Sequence, residues 1–497
     1  MADLFFSLLI SITEAKIKQE KHSLEELQCQ CHLNNSTLTR LPFGNLEHLN
    51  HKESFFRTLL LKGISKLPIR DKEDHWHSDI EALHYAERHF KRLLLHSNIG
   101  RYQLDALRLS KLNSQEFLEH LIQKGFASHL IKPRGNTGNI YQIDLLEMNK
   151  YDVRSSLHQY GCLILLDKNL KVTSIKVPHG TNDLLKHHAD QVLMERPAFP
   201  TYSYMKSFYE KIIWKQTCNL AVASLFVHVT LKSNILDSHF YFLGTVLVSY
   251  YKHYHHFPSE IKKMLQPFIF NGNRINSRIK NILLSNGGIL NRVFGFNHSG
   301  LKTYLKDQGL QMTVPSPDLV DDVVPIKKDL IKFWDVFNDF SHRLTKYLDS
   351  VGLLTEEVNF FVDEVETKLT GVSNPDDPLW QRLASILTHL IYTVTVWNSL
   401  TCTIAPYLMH PKLVQPKIHK KNPSADLITK KGFTQNIYLA LLTTMESMPK
   451  ITEKLWETQS EDPYVQGIWK KLQKDLMKLE INEKKLNPNL IGCSLTL

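Results

Sequence analysis

The last seven residues of the chain, 491–497, read IGCSLTL, so the main-chain carboxylate at the end belongs to an apolar residue, Leu497. Such an ending either frays into solvent or turns inward with its carboxylate. An isolated charge is costly to bury, so a buried carboxylate needs a cation beside it. The ending therefore fits either an ordinary terminus or a buried carboxylate with a cation beside it.

Histidine and cysteine side chains form two other groups that could bind a metal. Cys29, Cys31 and His32 lie close together, but no second cluster at zinc-finger spacing follows them. The six cysteines also lack the spacing of a disulfide-bonded secreted scaffold. We therefore expect a cytoplasmic protein, or one secreted without a classical signal peptide. The histidine-rich run from Tyr250 to Pro258 predicts a packed turn between helices.

The composition predicts a globular protein with a large core, since 42% of the 497 residues are hydrophobic and the mean hydropathy is −0.25. The formal net charge of +10 arises from 60 basic and 50 acidic residues. The lysines are scattered and no nucleic-acid motif accompanies them, so we expect no nucleic-acid partner. The positive charge predicts a solvated basic surface, with peripheral membrane contact as the alternative.

Residues 383–411 contain no Asp, Glu, Lys or Arg, and the stretch is long enough to span a bilayer. It nevertheless carries His389, Asn398 and several threonines. A helix that is apolar on all sides also forms the core of large soluble proteins. We therefore predict a buried core helix here rather than a membrane span.

Three separated stretches share an order and a spacing with one known family. Residues 214–290 contain Pro258 and, after it, the pair Ile275 and Asn276. Residues 379–400 form the second stretch, and residues 491–497 close the chain. In this order they resemble the catalytic domain of the lipoxygenases, which implies two successive helices and a turn at Pro258 in the first stretch and a long helix in the second. The likeness covers about residues 75–497.

The resemblance implies a mainly α fold with little β structure, in which one large helical domain over residues 76–497 is built around long core helices. Lipoxygenases of animals and plants place a β-sandwich for membrane docking before this domain. Residues 1–75 instead read as a helical extension, so we expect no docking domain there.

The resemblance also implies an iron site. It places histidine ligand positions at Asn234, His239 and Val394, a further ligand position at Asn398, and a carboxylate ligand at Leu497. Two positions are therefore degenerate, because Asn234 is a weak neutral ligand and Val394 cannot bind a metal. His239 is then either a surviving ligand or a core histidine that bonds to Asn398 or to the terminal carboxylate.

Two further features of the implied site follow from helix geometry. Positions five residues apart, such as Asn234 and His239, lie roughly 140° apart on an α-helix and could not share a metal. A π-bulge would bring them onto one face, and we expect one near Ile235 to Ser238. His389 lies nine residues before Asn398, on about the opposite face of its helix, so it is a poor substitute for a histidine at Val394.

Two residues after the second helix bear on the substrate. Arg278 falls where it could hold a fatty-acid carboxylate at a pocket mouth, although a surface salt bridge is the simpler interpretation. Ile279 stands where the family usually has alanine or glycine, and it would narrow the place that admits oxygen or substrate.

Three functions remain open. The leading hypothesis is a lipoxygenase-like pseudoenzyme that has no cofactor, has lost dioxygenase activity and binds a fatty acid, another lipid or a protein partner. The alternative is an active iron-dependent dioxygenase of polyunsaturated fatty acids, which predicts bound iron. The third is a protein-binding module, such as an effector acting on a host, whose old pocket is filled by side chains.

Overall fold

The structure is a computed structural model. The residues that it describes are 111–134, 141–177, 202–233, 238–269, 293–297, 314–401, 404–408, 412–420, 460–482 and 486–489, and the single positions 81, 109, 300, 303, 410, 428, 432, 433, 435, 436, 451, 452, 491 and 492. The expected helical extension over residues 1–75 lies outside them.

Helices make up most of the described chain, as the resemblance implied. The α-helices are α1 (Ser114–Gln123), α2 (Tyr202–His228), α3 (Ser238–His253), α4 (Ser259–Ile269), α5 (Ile326–Ser350), α6 (Glu356–Lys368), α7 (Leu379–Tyr392), α8 (Asn398–Thr401), α9 (Ala405–Leu408) and α10 (Pro463–Met477). Short 3-10 helices lie at Ser128–Leu130, Leu146–Lys150, Tyr254–His256 and Pro317–Leu319, and π-helical segments at Val229–Ser233 and Thr393–Trp397.

The β structure is one small antiparallel sheet in the order β1 (Lys132–Pro133), β2 (Tyr141–Asp144), β3 (Leu163–Leu166) and β4 (Val172–Lys176). Ile143 of β2 pairs with Ile164 of β3, which in turn pairs with Ile175 of β4. All three side chains are buried because they share one face of the sheet. This confirms a mainly α fold with little β structure.

Helix α5 shows why the long helices pack where they do. Its buried apolar side chains recur every three or four residues, at Ile326, Leu330, Phe333, Phe337, Phe340, Leu344 and Leu348. This spacing forms one stripe along the helix, and α5 packs against α7 and α10. Each fully buried side chain of this size contributes about 1.5–3 kcal/mol of transfer free energy. Burial of the stripe therefore fixes α5 beside the central helix.

The central helix runs through α7, the second π-helical segment and α8. Two helical stretches in the described part of the chain, Glu210–Leu231 and Leu379–Thr401, are long and apolar enough to cross a membrane by length and composition. Of their most apolar windows, 67% and 94% respectively is buried inside the fold. The second stretch therefore occupies the core, as its composition predicts.

Ion pairs hold α6 against its neighbours. Arg382 of α7 donates from Nε to both carboxylate oxygens of Glu366, at 3.0 and 3.2 Å, and also bonds to Asp363. Glu364 accepts from Lys368 at 2.7 Å and from Lys252 of α3 at 3.1 Å. Hydrogen bonds to its charged form, that from Lys368 foremost, lower the pKa of Glu364 to about 2.

The histidine-rich run from Tyr250 forms the end of α3 and the 3-10 helix after it. Tyr250 is fully buried, and the ring of His253 lies between two carboxylates, with Nδ1 2.9 Å from Glu357 and Nε2 3.1 Å from Glu364. These histidine contacts join α3 to α6. This agrees with the prediction of a packed turn.

Candidate functional site

Two π-helical segments lie in the described residues of the core helices. One segment, Val229–Ser233, follows α2, and the other, Thr393–Trp397, lies between α7 and α8. In the second, the backbone N–H of Asn398 donates to the C=O of Thr393, five residues earlier. Bulges of this kind collect at functional sites, because they bring side chains together that a regular α-helix would separate.

The sequence of the second π-helical segment favours such a departure from α-geometry. Four β-branched residues, 393–396, occur in a row and crowd the preceding turn. The Thr395 hydroxyl also donates to the C=O of Ile391, at 2.5 Å, and bonds of this type bend helices. The local sequence and the packed surroundings together therefore position Val394 and Asn398.

Val394 and Asn398 lie about one turn apart in this buried segment. Val394 is completely buried and has no atom that binds a metal. Asn398 is 5% exposed, and its Oδ1 has no hydrogen-bond partner among the described residues. A buried carbonyl oxygen of this kind costs about 1–3 kcal/mol when it stays unpaired.

Two further polar atoms in the same segment share this property. The hydroxyls of Tyr392 and Thr393 are buried and make no hydrogen bond within the described part of the chain. The Tyr392 ring packs edge-on against Trp334, 5.2 Å between ring centres, and burial raises the pKa of its hydroxyl far above the ordinary value. Sequence reasoning did not single out these two residues. The sequence signal that could have identified them is the presence of hydroxyl groups within the uncharged stretch 383–411.

The first π-helical segment, Val229–Ser233, lies just before the stretch in which the sequence predicts a bulge, Ile235 to Ser238. Most of that stretch lies outside the described residues, and Ser238 begins α3, so the predicted bulge stays a prediction. Residues 234–237 lie outside the described residues. The side chain at the start of the observed segment, Val229, is fully buried and offers no ligand atom.

Several implied site residues cannot be placed. Asn234, Arg278, Ile279 and Leu497 lie outside the described residues, and His239 is described only as part of the backbone of α3. Their implied roles remain predictions. Of the implied site, the structure brings together Val394 and Asn398.

His389 is a core histidine on the evidence of its contacts. Its Nδ1 lies 2.9 Å from the C=O of Pro315, and its ring packs against Trp334 at 4.8 Å between ring centres. Burial lowers the pKa of His389 to about 4, so the imidazole is neutral near pH 7. These contacts hold the His389 ring in the core. This agrees with the expectation that His389 is a poor substitute for a histidine at position 394.

Non-heme iron oxygenases use at least two histidines and one carboxylate. Of the implied ligand positions, the structure describes the side chains of Val394, which supplies no ligand atom, and Asn398, which supplies one neutral oxygen. Within the described part of the chain, no three His, Cys, Asp or Glu side chains come together in a way that could hold a metal ion.

The architecture around these core helices is lipoxygenase-like, as comparison with solved structures shows. The chain superimposes on a lipoxygenase deletion variant with a TM-score of 0.59 at 15% identity, covering 91% of this chain and 75% of that one. The manganese lipoxygenase of Gaeumannomyces graminis gives a TM-score of 0.57 at 11% identity, with 95% and 92% covered. A lipoxygenase of Fusarium graminearum gives 0.56 at 12%, with 89% and 90% covered.

These identities show a shared fold and nothing finer. No protein-family model matches the chain, and no curated protein matches it. The lipoxygenase-like fold expected from the sequence is therefore confirmed, and the chemistry of its site has to be argued from the residues.

Proposed function

We propose that this protein is a lipoxygenase-like pseudoenzyme, which has lost the iron site and dioxygenase activity and binds a lipid or a protein partner. The observation that carries the proposal is Val394, a fully buried aliphatic side chain where the resemblance implies a histidine. A valine contributes no lone pair, and no rearrangement of the surrounding hydrogen bonds can supply one.

The remaining donors are too few for tight iron binding. Loss of imidazoles at Asn234 and Val394 leaves His239, the oxygen of Asn398 and the carboxylate of Leu497. Substitution even of groups that only support a metal ligand typically costs 10- to 100-fold in affinity. The loss of two direct imidazole ligands should cost more, so we assign no cofactor.

A fatty acid or related lipid is the favoured ligand of the scaffold. A lipoxygenase structure with the same fold is described as a complex with arachidonate, at a TM-score of 0.57. In the present chain the central helix carries three buried polar atoms without a partner among the described residues, on Tyr392, Thr393 and Asn398. Arg278 would hold the carboxylate of such a ligand, and Ile279 would narrow the pocket beside it.

The alternative function is an active iron-dependent dioxygenase of polyunsaturated fatty acids. The free Oδ1 of Asn398 supports it, because this oxygen lies at an implied ligand position and has no partner among the described residues. In that case His239, Asn398 and the Leu497 carboxylate would hold the iron, and the iron would supply the redox chemistry of hydrogen abstraction.

The metal content of the purified, untagged protein separates these functions. We expect elemental analysis to find far less than one iron per chain, both as purified and after anaerobic loading with Fe²⁺ and desalting. We also expect no conjugated-diene product from polyunsaturated fatty acids. Near-stoichiometric iron together with diene formation would overturn the pseudoenzyme and establish the dioxygenase.

A further inference from the structure

A cavity of about 610 Å³ lies beside the middle of the core helix α2, between the start of α1, residues 211–222 of α2 and residues 412–415. Its apolar wall includes Leu112, Phe117, Trp214, Val222 and Leu413. The described lining includes none of the implied ligand positions Asn234, His239, Val394, Asn398 and Leu497. The cavity is therefore built from residues other than those of the implied iron site.

The charged side chains that line this cavity are all basic. Lys211 and Lys215 approach it from α2 and Lys412 from the opposite wall, and no Asp or Glu occurs among the described lining residues. The two acidic residues of α1 bond to lining residues from outside the lining: Glu119 pairs with Lys171 at 2.7 Å and accepts from Gln115 at 3.0 Å, and Glu116 accepts from the N–H of Asn113 at 2.9 Å. The described lining itself therefore carries a rim of three lysines and no carboxylate.

The aromatic part of the wall is held in place by hydrogen bonds. The indole N–H of Trp214 donates to Oε1 of Gln115 at 2.9 Å, and Nε2 of Gln115 donates to Oε1 of Glu119 at 3.0 Å. Glu119 also accepts from the N–H of Val172 at 3.1 Å, which ties the chain of bonds to the sheet. A wall fixed in this way loses little freedom when a ligand packs on it.

We propose that this cavity binds an anionic amphiphile, with the carboxylate of a fatty acid at the lysine rim and the adjoining methylene chain against the apolar wall. A volume near 610 Å³ lies within the range of small-molecule pockets, about 300–1,000 Å³. Ammonium groups provide charge-assisted hydrogen bonds to a carboxylate, and methylene groups gain free energy by leaving water. This site goes beyond the proposed function, because it does not depend on the state of the iron site.

Site-directed charge removal tests the lysine rim in the full-length protein. The triple variant K211Q/K215Q/K412Q is compared with K470Q/K474Q/K478Q, which removes the same charge from exposed lysines on and just after α10. An exposed ion pair contributes up to about fivefold in affinity, so we expect oleate to bind the first variant at least tenfold more weakly in calorimetry. The control should change less than about twofold. If both triple variants bind oleate equally more weakly, or if both keep the affinity of the unaltered protein, the proposal is overturned.

Photolabelling locates the ligand independently of these substitutions. A fatty acid with a diazirine in its chain should crosslink to peptides from residues 109–117, 211–222 and 412–415. Labelling confined to residues 379–401 would place the fatty acid in the core, overturning this site while supporting the proposed function. An absence of saturable labelling anywhere would overturn the site, and elemental analysis would still test the loss of iron separately.

The anionic group that meets the lysines could belong to a membrane lipid instead of a free fatty acid. Sedimentation with phosphatidylglycerol vesicles, compared with phosphatidylcholine vesicles, distinguishes it from a free fatty acid. We expect oleate to bind the dissolved protein whether or not vesicles are present. Lysine-dependent vesicle binding without any binding of free oleate would overturn the fatty acid in favour of a membrane contact.

Discussion

The backbone N–H of Asn398 donates to the C=O of Thr393, which closes a π turn in the buried central helix. Between these two residues lies Val394, completely buried and without a ligand atom. The chain therefore has a helical irregularity typical of functional sites, while the side chain within it cannot do metal chemistry.

Restoring an imidazole should restore metal affinity if Val394 occupies a ligand position. We expect V394H to retain at least tenfold more iron than the unaltered protein after anaerobic loading, because it adds a nitrogen ligand near Asn398. V396H is the matched control, since Val396 is equally buried in the same π-helical segment. Iron contents would be measured by elemental analysis. Equal iron in both variants would contradict the assignment of position 394.

Removing the amide of Asn398 should not destabilise a site without metal. We expect N398L to raise the free energy of unfolding or leave it unchanged, because an unpaired buried oxygen costs about 1–3 kcal/mol. In contrast, T395V removes a hydroxyl that donates to Ile391 and should cost about 1 kcal/mol. Denaturant unfolding measures both. A greater loss of stability in N398L than in T395V would mean that Oδ1 has a partner in solution.

Arg382 should be among the most important polar residues for stability. We expect R382Q to lower the free energy of unfolding by about 3–5 kcal/mol, because Glu366, whose side chain is only 10% exposed, would lose its partner while still buried. R343Q provides the comparison, since Arg343 pairs with Asp339 at 2.8 Å on the exposed face of α5. An exposed helical pair of this type contributes about 0.3–0.5 kcal/mol. Similar losses in urea unfolding would show that the buried network contributes little.

The cluster around Glu364 predicts a pH dependence of stability. Its pKa falls to about 2 in the folded protein, mainly through the hydrogen bond from Lys368, so the folded state favours the ionised form. The resulting stabilisation is fully present above the ordinary pKa of glutamate, near 4.5, and is lost as the pH falls towards 2. We expect E364Q to lower the melting temperature at pH 7 and to approach the unaltered protein between about pH 4.5 and 2.

Glu480 provides the control for this pH profile, because it is exposed and lies outside the cluster. E480Q should shift the melting temperature little at any pH. A constant difference between E364Q and the unaltered protein from pH 7 to pH 2 would show that the bonds of Glu364 do not favour its charged form.

Much of the fold could be predicted from local pattern. The stripe of α5 has the period of a helix packed on one side, and the uncharged run from residue 383 indicates a helix buried on all sides. Because the hydrophobic effect favours the removal of apolar surface from water, these periodicities determine which helix faces are buried. The lipoxygenase-like architecture itself was predicted from a resemblance to that family over about residues 75–497.

The candidate site was less accessible to such reasoning. The sequence by itself determined that position 394 is a valine and position 398 an asparagine, and thus which atoms are available there. Only the tertiary structure decided where the π turns fall, since a bond to the fifth rather than the fourth residue depends on packing around the helix. It also decided which polar atoms of Tyr392 and Asn398 remain without partners in the described chain, and that Lys211 and Lys412, about 200 residues apart, line one cavity. Contacts between distant segments are decided by the simultaneous packing of the whole chain, and no local pattern records them.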